Sequence, residues 1–215
     1  MITCAISLLL GSSIIMCPFP VMPWWESWMC SWLTPAWVRK REVAASTLVR
    51  LAEIPNIVAV KEASGNISQM AQVVHQLPEK FDVLCGDDAI TIPLIALGGR
   101  GLISVLSNEL PAEMAHLTHL ALEGKFAEAR KVQRELMPLM ESNFIEANPG
   151  PAKYVMSRMG MLELAYRLPM VPPSDASRAK LDQVIAQMNL IEKAAAERQS
   201  AAKPSRDIAV GAAGD

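Results

Sequence analysis

At 215 residues the chain is long enough for one large domain or two small ones. Its 20 Lys and Arg against 22 Asp and Glu leave a formal charge of −2 and a pI near 6.0. That balance gives no electrostatic reason to expect nucleic acid or an acidic membrane as partner. Hydrophobic residues make up 51%, which suits a large buried core, but their distribution is uneven.

From Met1 to Trp25 there is no charged residue, and Glu26 is the only one before Arg39. All five tryptophans (Trp24, Trp25, Trp28, Trp32, Trp37) and three of the four cysteines (Cys4, Cys17, Cys30) fall in this leader, 1–42. Its apolar first part is near the length of a membrane span, and lacks the positive start and small-residue cleavage site of a signal peptide. The cysteine spacing matches no zinc or redox pattern, so these three and Cys85 are expected to be reduced thiols without a metal.

After "RKRE" (39–42) the texture becomes that of an α/β protein. "EVAASTLVRLAEI" carries Val43, Leu48, Leu51 and Ala52 at helical spacing. "NIVAVK" is a short, β-branched apolar run, the mark of a strand buried on both faces. "ISQMAQVVHQL" sets Ile67, Met70, Val73, Val74 and Leu77 on one helical stripe. "FDVLCG" reads as a second strand and "DAITIPLIALGG" as a helix opened by an aspartate cap. "GLISVLSN" reads as a third strand, and "PAEMAHLTHLALEG" as a helix with Pro in its first turn and Gly near its end. Three strand–helix units with short connections imply a parallel sheet. From Lys125 onward only helical patterns remain, and from about residue 192 an Ala-rich stretch without periodicity reads as a disordered tail. The expected organisation is leader 1–42, α/β body 43–124, helical domain 125–191 and tail 192–215.

Lys61 ends the apolar run "NIVAVK", and small residues follow it. Side chains alternate along a strand, so Ala59, Lys61 and Ala63 share one side while Val60 and Glu62 face the other. Burial without a paired carboxylate lowers a lysine pKa, and a partly neutral amine can attack a carbonyl to form a Schiff base. The rival reading is a strand-end lysine reaching out to solvent, and spacing alone favours it.

Other features point to plain structure. His116 and His119 in "HLTH" stand at i and i+3 with no third ligand evident, and suit an exposed helix face better than a metal site. "GGRG" follows a helix and precedes a strand, the reverse of a dinucleotide fingerprint, so it is a turn. Asp87 and Asp88 open a helical run after Gly86 and read as its caps. Met137, Met140, Met156, Met159 and Met161 read as core filler.

Taken together and in order, "NIVAVKEASGN" (56–66), "LCGDD" (84–88), "LGGRGLISV" (97–105) and "ANPGPAKY" (147–154) resemble the dihydrodipicolinate synthase family over roughly Val43 to Leu190. "KEASGN" and the proline-rich block resemble it more than its relative N-acetylneuraminate lyase. The resemblance implies an incomplete (β/α)8 TIM barrel, about the last three strand–helix units, with a C-terminal α-helical domain. It implies that Lys61 is the Schiff-base lysine on the sixth strand, near the C-terminal barrel end where such sites lie. It also implies that Ile103, on the eighth strand, offers a backbone carbonyl toward that lysine. The implied reaction condenses pyruvate with L-aspartate 4-semialdehyde to 4-hydroxy-tetrahydrodipicolinate, in lysine and diaminopimelate synthesis, without metal or organic cofactor. The implied setting is cytoplasmic, with these two small molecules and further copies of the chain as partners, and no nucleic acid or membrane.

The chain also departs from the family. Counted back without gaps, Leu33 falls in the slot of the proton-relay tyrosine and Val38 in that of the substrate-binding arginine, and no tyrosine precedes Tyr154. The family's Thr-Thr relay pair has no counterpart. Three strands would leave two open sheet edges. The leader's abrupt change of composition suggests a start out of frame or misassigned. The expected product is therefore a weakly active or inactive chain. The rivals are a non-catalytic fragment acting only in association with another subunit, a membrane-anchored remnant, and a related pyruvate-dependent aldolase.

Overall fold

The computed structural model describes the backbone of residues 6–10, 13–17 and 43–201, and the side chains of residues 43–196. The chain divides into two compact units after Met140, sixteen residues beyond the division expected at 124. The long helix that opens with Phe126 therefore stays mostly with the first unit.

The first unit is built on a five-stranded sheet in the order β1 (Ile6–Leu10), β2 (Ser13–Cys17), β3 (Ala59–Glu62), β4 (Asp82–Cys85) and β5 (Gly101–Leu102). The last three strands are parallel, as the alternation of strand and helix requires. β1 and β2 form an antiparallel hairpin, and β2 lies antiparallel on β3. The leader thus supplies strands and occupies an edge that the sequence reading leaves open. No described helix is long and apolar enough to cross a membrane. Trp24 to Trp37, Cys4 and Cys30, and the slots of Leu33 and Val38 lie outside the described residues.

Each parallel strand is followed by a helix on one face of the sheet. Ahead of β3 runs α1 (Ala45–Leu51); α2 (Ile67–Gln76) follows β3, α3 (Thr91–Ala96) follows β4, and α4 (Pro111–Leu122) follows β5. Val60, Val83 and Cys85 face this layer and pack with Leu48 of α1, Met70 and Val73 of α2 and Leu94 of α3 in one buried cluster. Each large side chain there stabilises the fold by about 1.5–3 kcal/mol. α2 begins where Asn66 accepts the N–H groups of Ser68 (3.1 Å) and Gln69 (3.2 Å) on its side-chain oxygen. The helix after "LCG" does open on aspartate: Asp87 accepts the Ala89 N–H at 2.9 Å, and a 3-10 turn over Asp88–Ile90 leads into α3. Gly98, at φ +113°, lets the chain leave α3 for β5.

Two expectations need correction here. "GLISVLSN" is not one long strand: β5 ends at Leu102, and Leu106–Asn108 wind into a 3-10 turn. Side chains take over the N–H groups of that turn, with Ser104 Oγ accepting from Ser107 at 2.8 Å and Asp88 from Val105 and Leu106. Asp88 therefore caps a turn seventeen residues away rather than its own helix. His116 and His119 are exposed on α4, and Nδ1 of His119 lies 2.7 Å from the Ala115 carbonyl.

After α5 (Phe126–Ser142), the second unit holds α6 (Gly150–Arg158), α7 (Asp175–Gln187) and α8 (Leu190–Ala201). Tyr154 of α6 donates to Asp182 of α7 at 3.1 Å, and Arg158 pairs with the same carboxylate. Tyr166 donates to the Gly150 carbonyl at 3.0 Å, which closes the loop after α6 back onto its first turn. Ser174 caps α7 through the Ser177 N–H and donates to Glu146 at 2.6 Å. α8 reaches Ala201, into the stretch that reads as a disordered tail from residue 192; Ala-rich sequence is a strong helix former even where apolar periodicity is weak. Met140 and Met159 are buried, Met137 and Met156 half-buried, and Met161 is exposed, so the methionines are not uniformly core.

Leu48→Ala is expected to lower stability by about 2–5 kcal/mol. Asn66→Ala, which removes only a cap, should cost about 1 kcal/mol. Both are read as shifts of the urea midpoint at unchanged slope.

Candidate active site

The parallel register fixes which residues share a layer. Lys61 pairs with Leu84, and Leu84 with Gly101. Two residues on, the ladder continues past the strand ends: Gly86 donates to the Glu62 carbonyl at 2.7 Å, and Ile103 to the Cys85 carbonyl at 2.8 Å. With side chains alternating, Ala63, Gly86 and Ile103 form the next layer on the face that carries Lys61. This face is opposite the helix-covered one. Val60 and Cys85 lie on the latter, as does the fully buried Glu62, whose Oε1 accepts the Ser64 N–H at 2.7 Å.

Lys61 is half-buried, and its stem runs over Gly86. A Cβ at position 86 would lie 2.6 Å from the Ala63 Cβ, 2.8 Å from the Lys61 Cε and 3.0 Å from its Cγ. Only glycine leaves room for this packing. Gly86 is a residue of the site that sequence reading missed; its signal was a glycine directly after a buried strand, where backbone approaches something closely. Burial drives the Lys61 pKa below its ordinary value of 10.5, opposed by the nearby Asp88 and Cys85. The amine is thereby moved toward the neutral, nucleophilic form. Cys85 differs: burial pushes its thiol up to about 11, and its Sγ sits 3.0 Å from the Asp87 carbonyl, a core thiol rather than a nucleophile.

Ile103 lies one residue beyond β5, half-buried, with its N–H held by Cys85. Register therefore brings the two sequence-predicted site residues to one face and adjacent layers. A hollow of about 560 Å³ lined by Val74, Leu77, Phe81, Ile95, Leu122 and Phe126 lies on the helix-covered side and includes neither of them.

A parallel sheet with a desolvated lysine at a strand's C-terminal end matches the sequence blocks noted above, and the wider comparison agrees. The Dihydrodipicolinate synthetase family matches residues 40–188. The chain belongs to that family. The 4-hydroxy-tetrahydrodipicolinate synthase of Koribacter versatilis is 49% identical over 152 residues, covering 71% of this chain and 51% of that protein. The crystal structure of dihydrodipicolinate synthase from Aquifex aeolicus is 41% identical with a TM-score of 0.67, covering 69% of this chain and 51% of that one. The enzyme of Acinetobacter baumannii, solved in complex with pyruvate, is 32% identical with a TM-score of 0.67, covering 70% of this chain and 52% of its own. These relatives carry a TIM-barrel-type fold, and the chain spans about half their length.

Three variants test the geometry. Gly86→Ala is expected to destabilise the first unit by about 1–3 kcal/mol through overpacking. Adding Ala63→Gly should restore only part of that loss, because the lysine stem still collides; denaturant midpoints of the single and double variants decide it. Lys61→Met should raise stability at neutral pH. The folded state binds fewer protons at Lys61 than the unfolded chain does, so the lysine costs stability below its folded pKa. That cost fades as pH climbs toward 10.5, and the gain from Lys61→Met should fade with it in urea melts run across pH.

Proposed function

We propose that this chain carries the Schiff-base half of a 4-hydroxy-tetrahydrodipicolinate synthase, with Lys61 as the amine and pyruvate as the keto acid. The observation that carries this reading is the lysine held half out of water over Gly86, at the C-terminal end of a parallel strand. In the proposed chemistry the neutral Nζ adds to the ketone carbon of pyruvate. With one proton taken up from solvent, the carbonyl oxygen leaves as water and a protonated imine remains. That cation is the electron sink: loss of a methyl proton gives an enamine, whose carbon attacks the aldehyde of L-aspartate 4-semialdehyde and forms the new C–C bond. The amino group brought in by the semialdehyde then adds to the imine carbon, closing the ring as the C–N bond to Lys61 breaks, and Lys61 leaves as the free amine. Ile103 sits in the layer above the amine, where its backbone carbonyl serves to hold the substrate end of the adduct. The chemistry calls on no metal or organic cofactor, because the imine itself stabilises the carbanion. The three parallel strands β3, β4 and β5 are read as the last three strands of a (β/α)8 barrel, with strand ends that face the site as in such barrels generally. The proposed setting is the cytoplasm, in lysine and diaminopimelate synthesis.

Incubation with pyruvate followed by borohydride should convert the imine to a stable secondary amine on Lys61, found by peptide mass spectrometry. Lys61→Met should abolish the adduct. An unlabelled wild-type chain of native stability would sink this reading and favour a non-catalytic fragment that works only beside another subunit.

A further inference from the structure

Lys61 lies half-buried on the face of the sheet away from the helices, and register fixes its neighbours there. Ala59 and Ala63 flank it along β3, Leu84 and Gly101 share its layer, and Gly86 and Ile103 form the layer above. Ile14 of β2 is its register partner across the other edge of β3. None of these residues carries a group that exchanges a proton. The ionisable residues close by in the chain are turned away or engaged. Asp82 shares the layer of Ala59 and pairs with Arg100 at 3.8 Å. Glu62 and Cys85 are buried toward the helices. Asp87 accepts the Ala89 N–H, and the buried Asp88 accepts those of Val105 and Leu106.

Reactions of an imine differ in what they ask of such surroundings. Drawing a proton from a methyl group requires a positioned base. Breaking a bond to a carboxylate requires none, because carbon dioxide leaves with no proton to remove and its electron pair flows to the imine nitrogen. The departing carboxylate also sheds its charge, and apolar neighbours favour that loss because they disfavour the charge at the start.

We propose that Lys61, set among alanine, glycine, leucine and isoleucine on this face, supports a second activity: decarboxylation of β-keto acids such as oxaloacetate. This rests on the Schiff-base reading, since the imine is the electron sink. Nζ adds to the ketone carbon of oxaloacetate; with one proton from solvent, the oxygen leaves as water and a protonated imine remains. The bond to the distal carboxylate then breaks. Carbon dioxide departs, and the electron pair forms the carbon–carbon double bond of a neutral enamine. Solvent protonates the enamine carbon, and water hydrolyses the imine to pyruvate and free Lys61. In sum, oxaloacetate and one proton give pyruvate and carbon dioxide. The enamine is the one that the condensation needs, reached without a base.

The full chain is incubated with oxaloacetate in EDTA, which removes decarboxylation driven by stray metal ions, and pyruvate formation is followed. The rate should exceed that of buffer. Lys61→Met, which keeps the chain's other lysines, should fall to the buffer rate. In deuterated water, exchange of the methyl protons of pyruvate by the wild type should lag decarboxylation by about 10²–10⁴-fold, the worth of a positioned general base. If borohydride traps pyruvate on Lys61 while oxaloacetate is lost no faster than with Lys61→Met, this activity is refuted and the Schiff-base reading stands. Methyl exchange that keeps pace with decarboxylation also overturns the proposal, because a base is then in reach. A wild type on which neither keto acid is trapped removes the Schiff-base reading, and this activity with it.

Discussion

The packing of the Lys61 stem on the bare backbone of Gly86 depends on two main-chain hydrogen bonds. Gly86 to Glu62 at 2.7 Å and Ile103 to Cys85 at 2.8 Å carry the parallel ladder one step past the strands. A slip of one residue would turn Lys61 into the helix-covered core and bring Glu62 to the open face. The hydrophobic pattern forbids that slip, because Val60, Val83 and Cys85 must face α1, α2 and α3 together. The reactive geometry is therefore a by-product of core packing: once those apolar residues are buried, the lysine has one place to go, and glycine is what lets it lie there.

The same strand ends hold ionisable groups that a merely stable protein would avoid. Glu62 is fully buried with Oε2 lacking a partner, Asp88 is buried with Oδ1 lacking one, and Lys61 is partly desolvated. Each disfavours folding on its own. They cluster within one turn of the C-terminal ends of β3 and β4, while the helix-covered face below is apolar. Stability comes from the apolar residues below them, and the cost of keeping charge out of water is confined to the C-terminal ends of the strands. The lowered pKa of Lys61 at this end of the sheet is what marks it as a candidate functional position.

Much of this was legible in the sequence. The alternation of "NIVAVK", "FDVLCG" and their following helices is governed by local burial, and β3, α2, β4, α3 and α4 fall where periodicity puts them. Lys61 stood out because a charge at the end of an apolar run conflicts with its surroundings. What sequence could not show are effects of chain segments meeting at a distance. Gly86 looks like any strand-end glycine until Lys61 is laid over it. Asp88 reads as the cap of its own helix, yet its oxygen serves N–H groups seventeen and eighteen residues on, and that contact also cuts β5 to two residues. The hairpin of β1 and β2 was hidden because an uncharged leader has no polar–apolar alternation to announce strands.

That hairpin bears on the chemistry directly. The strand beside Lys61 is β2, whose residues Ser13, Ile14, Ile15 and Met16 pair with Glu62, Lys61, Val60 and Ala59. Gapless counting from the family pattern would instead set residues 33 to 38 on the preceding strand, with leucine in the tyrosine slot. On either placement the residue next to the lysine is apolar: Ile14 stands opposite it in register. Under the proposed mechanism the two kinds of step then depend on different neighbours. Addition of the amine to a keto acid needs a desolvated Nζ, which β3, β4 and Gly86 provide from within this unit. Removal of the methyl proton and delivery of protons to the product need a general acid–base group in reach, worth about 10²–10⁴-fold in rate. β2 offers no phenol or imidazole for that work. Under that mechanism imine formation is the step that burial of the amine can support, and the later proton transfers are the steps that require a relay.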